Sequence, residues 1–574
     1  MKKYVLREAL VPNGDLLQQL LAYRGVTENG AREVFLNPSY EEHLHDPFLL
    51  KGMKEAVARI KLAIKNDEHI VIYSDYDADG IPTAVVMHDF FKMIGYKNFQ
   101  VYIPHRHKEG FGLHVLAIDS LLATGAEPKV LITLDCGITD AEEVVHARSK
   151  GIDVIITDHH MPPAELPPAF AVIDPKQPGC EYPFKELCGA GVAFKLVQGL
   201  LAGGDFHTAP GAEKWLLDMV GLATLSDMVP LVGENRVLAR YGLMVLRKSR
   251  RPGLRALLRI LKIDQRYITE DDIGFMITPR LNAASRMGEP IDAFTLLSTS
   301  DVAQADMLAA KLNASNDERK GLVGSLVKEI NKIMSERAEH FAARRVIVLG
   351  NPLWRPAILG LAAGNLAEEY GKPVFLWGRE DGPTIKGSCR SGGVANLVAI
   401  MQAAHDVFGD VFLDFGGHHV SGGFSLNADT VHHLEDRLEE ALAKVVAAEP
   451  VVEGGVDRDI VLLDSTLTLA DIQSKTYAAI EKLSPFGVAN TKPLFIFKNV
   501  GIKTVRQFGK TKNHLELMLV GENSGPVKAI SFFATPDDFA RRPEEGGSAD
   551  IVANIEKSFF GYRPELRLRI VDIV

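Results

Sequence analysis

The apolar run Ile70-Val71-Ile72-Tyr73 leads through Ser74 into Asp75-Tyr76-Asp77-Ala78-Asp79-Gly80, and this junction constrains the fold more than any other stretch of the chain. A short, uninterrupted apolar run is expected to be a strand buried on both faces. Three carboxylates crowded at its end repel one another unless a cation neutralises them. The bland alternative is an acidic turn in solvent. Oxygen ligands at such density call for Mg²⁺ or Mn²⁺.

Two more runs end in the same way. Val130-Leu131-Ile132-Thr133-Leu134 runs into Asp135-Cys136-Gly137, and Asp153-Val154-Ile155-Ile156-Thr157 runs into Asp158-His159-His160. Helix-like segments follow, the pattern of a parallel α/β sheet, whose ligands sit in the crevice beyond the carboxyl ends of the strands. Asp75, Asp77, Asp135, Asp158, His159 and His160 are therefore expected to converge on one edge. A fourth apolar stretch, Gly221 to Ser226, ends in another carboxylate, Asp227. One buried Asp or His is usually a satisfied structural residue. A series of them at successive element ends is hard to explain that way.

A chain of 574 residues is too long for one core; at roughly 150 residues per domain it divides into about three or four. Its 46% hydrophobic and 24% charged content is that of a folded protein and excludes a disordered one. Cys136, Cys180, Cys188 and Cys389 form no C-x-x-C pair, which excludes the usual zinc and disulfide spacings and suits a reducing cytoplasm. The amino terminus acquires charge before a signal-peptide core can form. No apolar run reaches the roughly 20 residues that span a bilayer, so a soluble, cytoplasmic protein is expected. The net charge of −10 looks wrong for a polyanion binder, but phosphate attraction is local and screened. From Arg236 to Lys262 the basic residues Arg236, Arg240, Arg247, Lys248, Arg250, Arg251, Arg255, Arg259 and Lys262 occur with no acidic one. This run is read as a polyanion-facing surface in preference to a solvated helix face.

Residues 1–68 read as mostly helical, and 69–300 as the α/β core. Residues 301–342 read as one long connecting helix, or two broken near Asn313–Asn316. A second α/β unit spans 343–450, from the strand ending at Gly350 to the glycine-rich Gly416-Gly417-His418-His419. From 451 to 574 period-two segments such as His514 to Val520 indicate a small antiparallel sheet or barrel. Phe508, Lys510, Lys512, Phe559, Phe560, Tyr562 and Arg563 are available there to hold a single strand.

Asp75-Tyr-Asp-Ala-Asp-Gly80, Asp135-Cys-Gly137 and Asp158-His-His160 resemble, in order, the motifs of the DHH phosphoesterase superfamily. Arg106 in its Pro-His-Arg-His-Lys-Glu-Gly-Phe-Gly block, Gly189-Ala-Gly-Val-Ala193, Leu225 to Pro230 and Arg280-Leu-Asn-Ala-Ala-Ser-Arg286 resemble further blocks of its RecJ branch, the exonucleases specific for single-stranded DNA. So do Lys386 to Ser391, Gly416 to His419 and Leu483 to Asn490. The resemblance implies a parallel-sheet DHH domain, a helical connector, a smaller DHHA1 domain and a C-terminal antiparallel OB-fold barrel. It implies two Mn²⁺ or Mg²⁺ ions, with Asp135 bridging them, Asp77, His159 and Asp227 completing one and Asp75 serving the other. His160 would contact phosphate or the leaving oxygen, and Asp79 and Asp158 would orient the ligands.

Arginine recognises phosphate bidentately, and Arg106, Arg280 and Arg286 sit in blocks too polar for plain core. With Asn282, Ser388, Arg390 and His418 they make the expected substrate-binding set. The resemblance further implies 5′-to-3′ removal of nucleotides from single-stranded DNA in recombination and repair, by a monomer that works beside a single-stranded-DNA-binding protein and a helicase. A DHH phosphodiesterase of short oligonucleotides or cyclic dinucleotides, and a non-catalytic replication scaffold, are the competing readings. Ser285, Arg355, Ser421 and Thr491 depart from the family pattern, but none is an expected ligand.

Overall fold

In the computed structural model, which describes residues 2–123, 125, 127–379, 384–393, 395–409, 411–417, 419–448, 460–509, 511–522, 524–559 and 564–574, the chain begins with a strand where the sequence reads as helical. This strand, β1 (Lys3–Leu6), pairs in parallel with Ile460–Leu463, Lys3 lying opposite Ile460. Leu20 and Leu21 of the following helix are buried in the core of the C-terminal unit. The helix Met53–Lys65 instead buries Met53, Ala56, Val57, Ile60 and Ala63 against the first sheet. The N-terminal segment is thus split between two parts of the molecule.

The first sheet holds β2 (Ile70–Ser74), β3 (Phe99–Tyr102), β4 (Val130–Leu134), β5 (Asp153–Thr157) and β6 (Ala171–Ile173), all parallel, in the order β3-β2-β4-β5-β6. Every residue of β2 and β4 is buried, as continuous apolar runs covered on both faces require. After β2 the chain adds β3 on one side and then returns to add β4 on the other. The switch point, where open α/β sheets bind ligands, therefore lies between β2 and β4. Asp75 and Asp135 stand at that point.

A single helix, Val302–Glu336, leaves this unit and continues after Arg337 as the short helix Ala338–Ala343. It does not break near Asn313–Asn316. Both asparagines have other occupations there: Asn313 Oδ1 accepts from Arg280 Nε at 2.9 Å and Asn316 Oδ1 from Arg319 Nη2 at 3.0 Å, so neither amide competes with the helix backbone.

The second sheet runs β10-β11-β9-β8-β7, from β7 (Ile347–Gly350), β8 (Val374–Arg379), β9 (Ile385–Arg390), β10 (Asp414–Gly417) and β11 (Ser421–Leu426). Only its β7–β8 pair is parallel.

After β12 (Ile460–Leu463), the partner of β1, come β13 (Ser465–Leu467), β14 (Phe495–Phe508), β15 (His514–Val520), β16 (Val527–Phe532), β17 (Ser548–Ser558) and β18 (Glu565–Ile573). Pairing of β17 back onto β14 closes the barrel, and its one parallel contact besides the added β13 is β16–β18. Lys510, Phe560, Tyr562 and Arg563 lie outside the described residues. Among the described residues no helix is long and apolar enough to cross a membrane.

The basic run is only in part free to be the polyanion surface expected of it. Arg236 is buried where the first unit meets the barrel, donating to the carbonyls of Phe35 (2.8 Å), Leu483 (2.9 Å) and Ser484 (3.1 Å). Its guanidinium also lies 3.8 Å over the Phe35 ring. Arg240 bonds the Leu36 carbonyl and Arg247 that of Ile268, while Arg251 pairs with Asp218 and Asp89. Arg259 pairs with Asp306. Helices Gly233–Leu246 and Pro252–Leu261 turn Arg236, Arg240 and Arg251 inward, while Arg247, Lys248, Arg250, Arg255, Arg259 and Lys262 remain exposed, some of them against local acceptors.

Candidate metal centre and substrate cleft

At the end of β2 each residue of the acidic hexapeptide has a separate task. Asp77 accepts from the amides of Asp79 (2.7 Å) and Gly80 (3.1 Å), which ties the turn to the start of helix Gly80–Met93. A side chain at Gly80 would collide with the Asp75 carbonyl. Asp79 is turned away from solvent and accepts from the amides of Gly189 (2.6 Å) and Ala190 (3.0 Å), at the start of helix Gly189–Leu201. At Gly189 a Cβ would stand 2.6 Å from Asp135 Oδ1, so glycine lets this helix approach the site.

Asp135, at the end of β4, adopts a left-handed φ of 60°. At the end of β5, Asp158 gathers the amides of Ile138 (3.0 Å), His159 (2.7 Å) and His160 (3.1 Å), together with His160 Nδ1 at 2.7 Å. His159 Nε2 points into the cluster, 3.1 Å from Asp135 Oδ1, 3.8 Å from Asp79 Oδ2 and 3.9 Å from Asp227 Oδ2. Asp227 comes from the C-terminal end of a helix, Leu217–Ser226, unlike the other three contributions, which end strands.

Ligand atoms of Asp75, Asp77 and Asp135 lie within 4.8 Å of one another; so do those of Asp79, His159 and Asp227, and those of Asp135, His159 and His160. Burial, and then the neighbouring carboxylates, push Asp75 and Asp227 up to about 8 and Asp79 to about 6; Asp135 is driven well above the carboxylate range. Asp158 behaves oppositely. Burial raises it, but the His160 hydrogen bond and charge outweigh this and hold it at about 2. His160, opposed by burial and supported by Asp158, rises to about 9. Asp75 Oδ1 and Asp135 Oδ1 are buried and accept no hydrogen bond. Crowded, anionic and short of donors, the cluster fits a divalent cation, and its mixture of carboxylate and imidazole suits Mn²⁺ as well as Mg²⁺.

Arginines face this cluster. Arg106 lies 5.1 Å over the Tyr76 ring. Arg286 donates to the Ala357 carbonyl at 2.8 Å, across to the second α/β unit. Burial, with Arg106, Arg319 and Arg390 nearby, presses its guanidinium down to about 9. Arg390 donates to the Cys389 carbonyl at 2.7 Å and packs over Gly360, where a Cβ would stand 2.9 Å from Nη2. Ser388, two residues before it on β9, shares its face of the sheet. Asn282 Oδ1 is buried without a partner. Arg280 is turned toward the connecting helix: its Nε donates to Asn313 Oδ1 and its Nη1 to the Met276 carbonyl. His418 lies outside the described residues.

Two residues were not singled out from the sequence. Lys176 Nζ holds the His159 carbonyl at 2.7 Å. Arg319, in a charge-rich helix that reads as a plain connector, neighbours both Arg280 and Arg286. Its signal was an Asn and an Arg three apart on a face that also carries apolar residues.

Three family models match in succession: the DHH family, N-terminal domain over residues 69–224, the DHHA1 domain over 343–448 and the RecJ OB domain over 463–572. The single-stranded-DNA-specific exonuclease RecJ of Salmonella typhimurium is 31% identical over 552 residues, 93% of this chain and 92% of that protein. The chain belongs to the RecJ family. The RecJ of Bacillus subtilis is 37% identical over 514 residues, 89% of this chain, but this chain spans only 62% of that longer protein. The crystal structure of RecJ in complex with Mn²⁺ from Thermus thermophilus superposes with a TM-score of 0.77 at 24% identity, covering 100% of this chain and 79% of the other. It shares the RecJ fold.

Proposed function

We propose that this chain is a metal-dependent exonuclease that removes nucleotides from the 5′ end of single-stranded DNA, in the service of recombination and repair. One observation carries the reading: a buried cluster of carboxylates and imidazole at the sheet switch point faces arginines drawn from two units of the chain. Divalent cations held there would activate a water and neutralise the charge that develops on the phosphoryl group and leaving oxygen.

The chain's own residues do the rest. Asp75, Asp77, Asp135, His159 and Asp227 would hold the metal, Asp135 belonging to two of the three ligand groups. Asp79 fixes helix Gly189–Leu201 against the cluster. Asp158 holds His160 charged and oriented, so that it donates to the phosphate or the departing oxygen. Arg106, Ser388 and Arg390 grip a terminal phosphate; Arg286 and Asn282 serve the same strand, and His418 is a further proposed contact to it. Arg280 serves the strand indirectly, by positioning the connecting helix.

In domain terms, 69–300 is the catalytic unit, 301–342 the connector, 343–450 the substrate-gripping unit and 451–574 the strand-binding barrel. We take the protein to act as a cytoplasmic monomer fed by a helicase and a single-stranded-DNA-binding protein. The test is a degradation time course with single- and double-stranded DNA labelled at either end. Early release of label from the 5′ end of single strands alone is expected. Equal attack on duplex, or release from the 3′ end first, refutes the reading.

A further inference from the structure

The connecting helix packs along helix Thr278–Met287, and the contact between them is polar where a core is expected. At its start Arg280 is spent on Asn313. One turn further on, Asn316 is fully buried, with Oδ1 accepting from Arg319 and Nδ2 lacking any partner. Arg319 Nε is buried and unpartnered as well. Buried donors are almost always satisfied in folded proteins, so two together call for an acceptor. An amide, not a carboxylate, anchors Arg319, which fixes the guanidinium without neutralising it.

Arg286 stands beside it, its guanidinium donating to the Ala357 carbonyl, and burial lowers the pKa values of Arg319 and Arg286 alike. Asp317, on the same helix, accepts from Asn313 Nδ2 at 3.2 Å, and burial alone, with no acid beside it among the described residues, perturbs Arg319. Forked cationic donors with no carboxylate of their own match an oxyanion.

We propose that Arg319 and Asn316, with Arg286, form a subsite for one internal phosphate of the bound strand, separate from the Arg390–Ser388 grip on its terminal phosphate. The inference rests on the reading of the cleft as a single-stranded-DNA site. Binding there ties the connecting helix to the catalytic unit at the moment a strand is in place.

The experiment measures the affinity of the full chain for 5′-phosphorylated single strands, by fluorescence anisotropy with Ca²⁺ replacing the catalytic ions. Each strand carries one neutral methylphosphonate linkage, stepped inward from the 5′ end. In the unaltered protein one internal linkage should weaken binding about tenfold, the scale of a charge-assisted contact. Arg319→Gln should bind the all-phosphate strand about tenfold more weakly and lose sensitivity at that linkage alone. Its dependence of log affinity on log salt should be shallower by about one phosphate contact, while its preference for a 5′-phosphate persists.

Arg319→Lys keeps the charge but not the fork, so it should retain the salt slope and only part of the linkage effect; it also serves if the glutamine variant does not fold. An unchanged linkage profile in either variant overturns the subsite. Failure of the intact protein to degrade single strands would overturn the reading of the cleft instead, and the binding profile would still decide the subsite.

Discussion

Two sets of cations in this molecule have opposite fates. The run from Arg236 to Lys262 is the densest basic stretch of the sequence, yet Arg236, Arg240 and Arg251 are consumed by carbonyls and carboxylates at internal joints. Arg106, Arg286, Arg319 and Arg390 are scattered over nearly half the chain, yet the fold gathers them opposite a carboxylate cluster. Density along the chain measures neither availability nor direction. What makes an arginine a phosphate ligand is a fixed guanidinium whose charge no neighbouring acid cancels.

The largest effect expected lies on the carboxylate wall that gives the gathered arginines their purpose. Asp135→Ala should reduce turnover by about a thousandfold or more, beyond the 10²–10³ typical of one lost oxyanion donor, with the fold retained by circular dichroism. Normal Mn²⁺-dependent hydrolysis by the folded variant would dissolve the contrast between the two sets. Arg236→Ala probes the other set. It strips the carbonyls of Phe35, Leu483 and Ser484 of their donor and should cost about 3 kcal/mol of stability. Turnover per folded molecule should not change. A stable variant with weakened DNA binding would return Arg236 to the substrate surface.

A smaller effect separates the metal cluster from a merely structural acidic patch. Asp75 and Asp227 sit near 8 in the folded chain, against about 4 when unfolded. Between those values the folded state keeps protons that the unfolded chain has lost, so metal-free stability falls as pH rises. Melting temperature in a chelator should therefore drop from about pH 5 to about pH 8, and Mn²⁺ should restore it most at the higher pH. A melting curve indifferent to both would leave the cluster without a cation.

The parallel sheet and its metal edge were legible because β2, β4 and β5 are continuous apolar runs, each ending in acid. Asp227 shows the limit. Its apolar stretch announced a buried element but not that the element is a helix, since short apolar runs carry no period of their own. β1 was not legible at all: four residues whose partner is β12, at the far end of the chain, leave no local signal. Asn313 and Asn316 left a helix break open as an alternative to one long helix, since isolated amides compete with the backbone. Their engagement by Arg280 and Arg319 is a tertiary fact. The same contacts hid Arg319, whose importance depends on what its neighbours do not provide.

The most direct test of the account is the affinity of Arg390→Ala for two strands that differ only at the 5′ end, one phosphorylated and one carrying a hydroxyl. A gathered arginine that grips the terminal phosphate is worth about 1.5–3 kcal/mol. The variant should therefore lose about tenfold or more on the phosphorylated strand and little on the other. Equal losses on both would contradict the account and make Arg390 a structural residue, no different from those of the basic run.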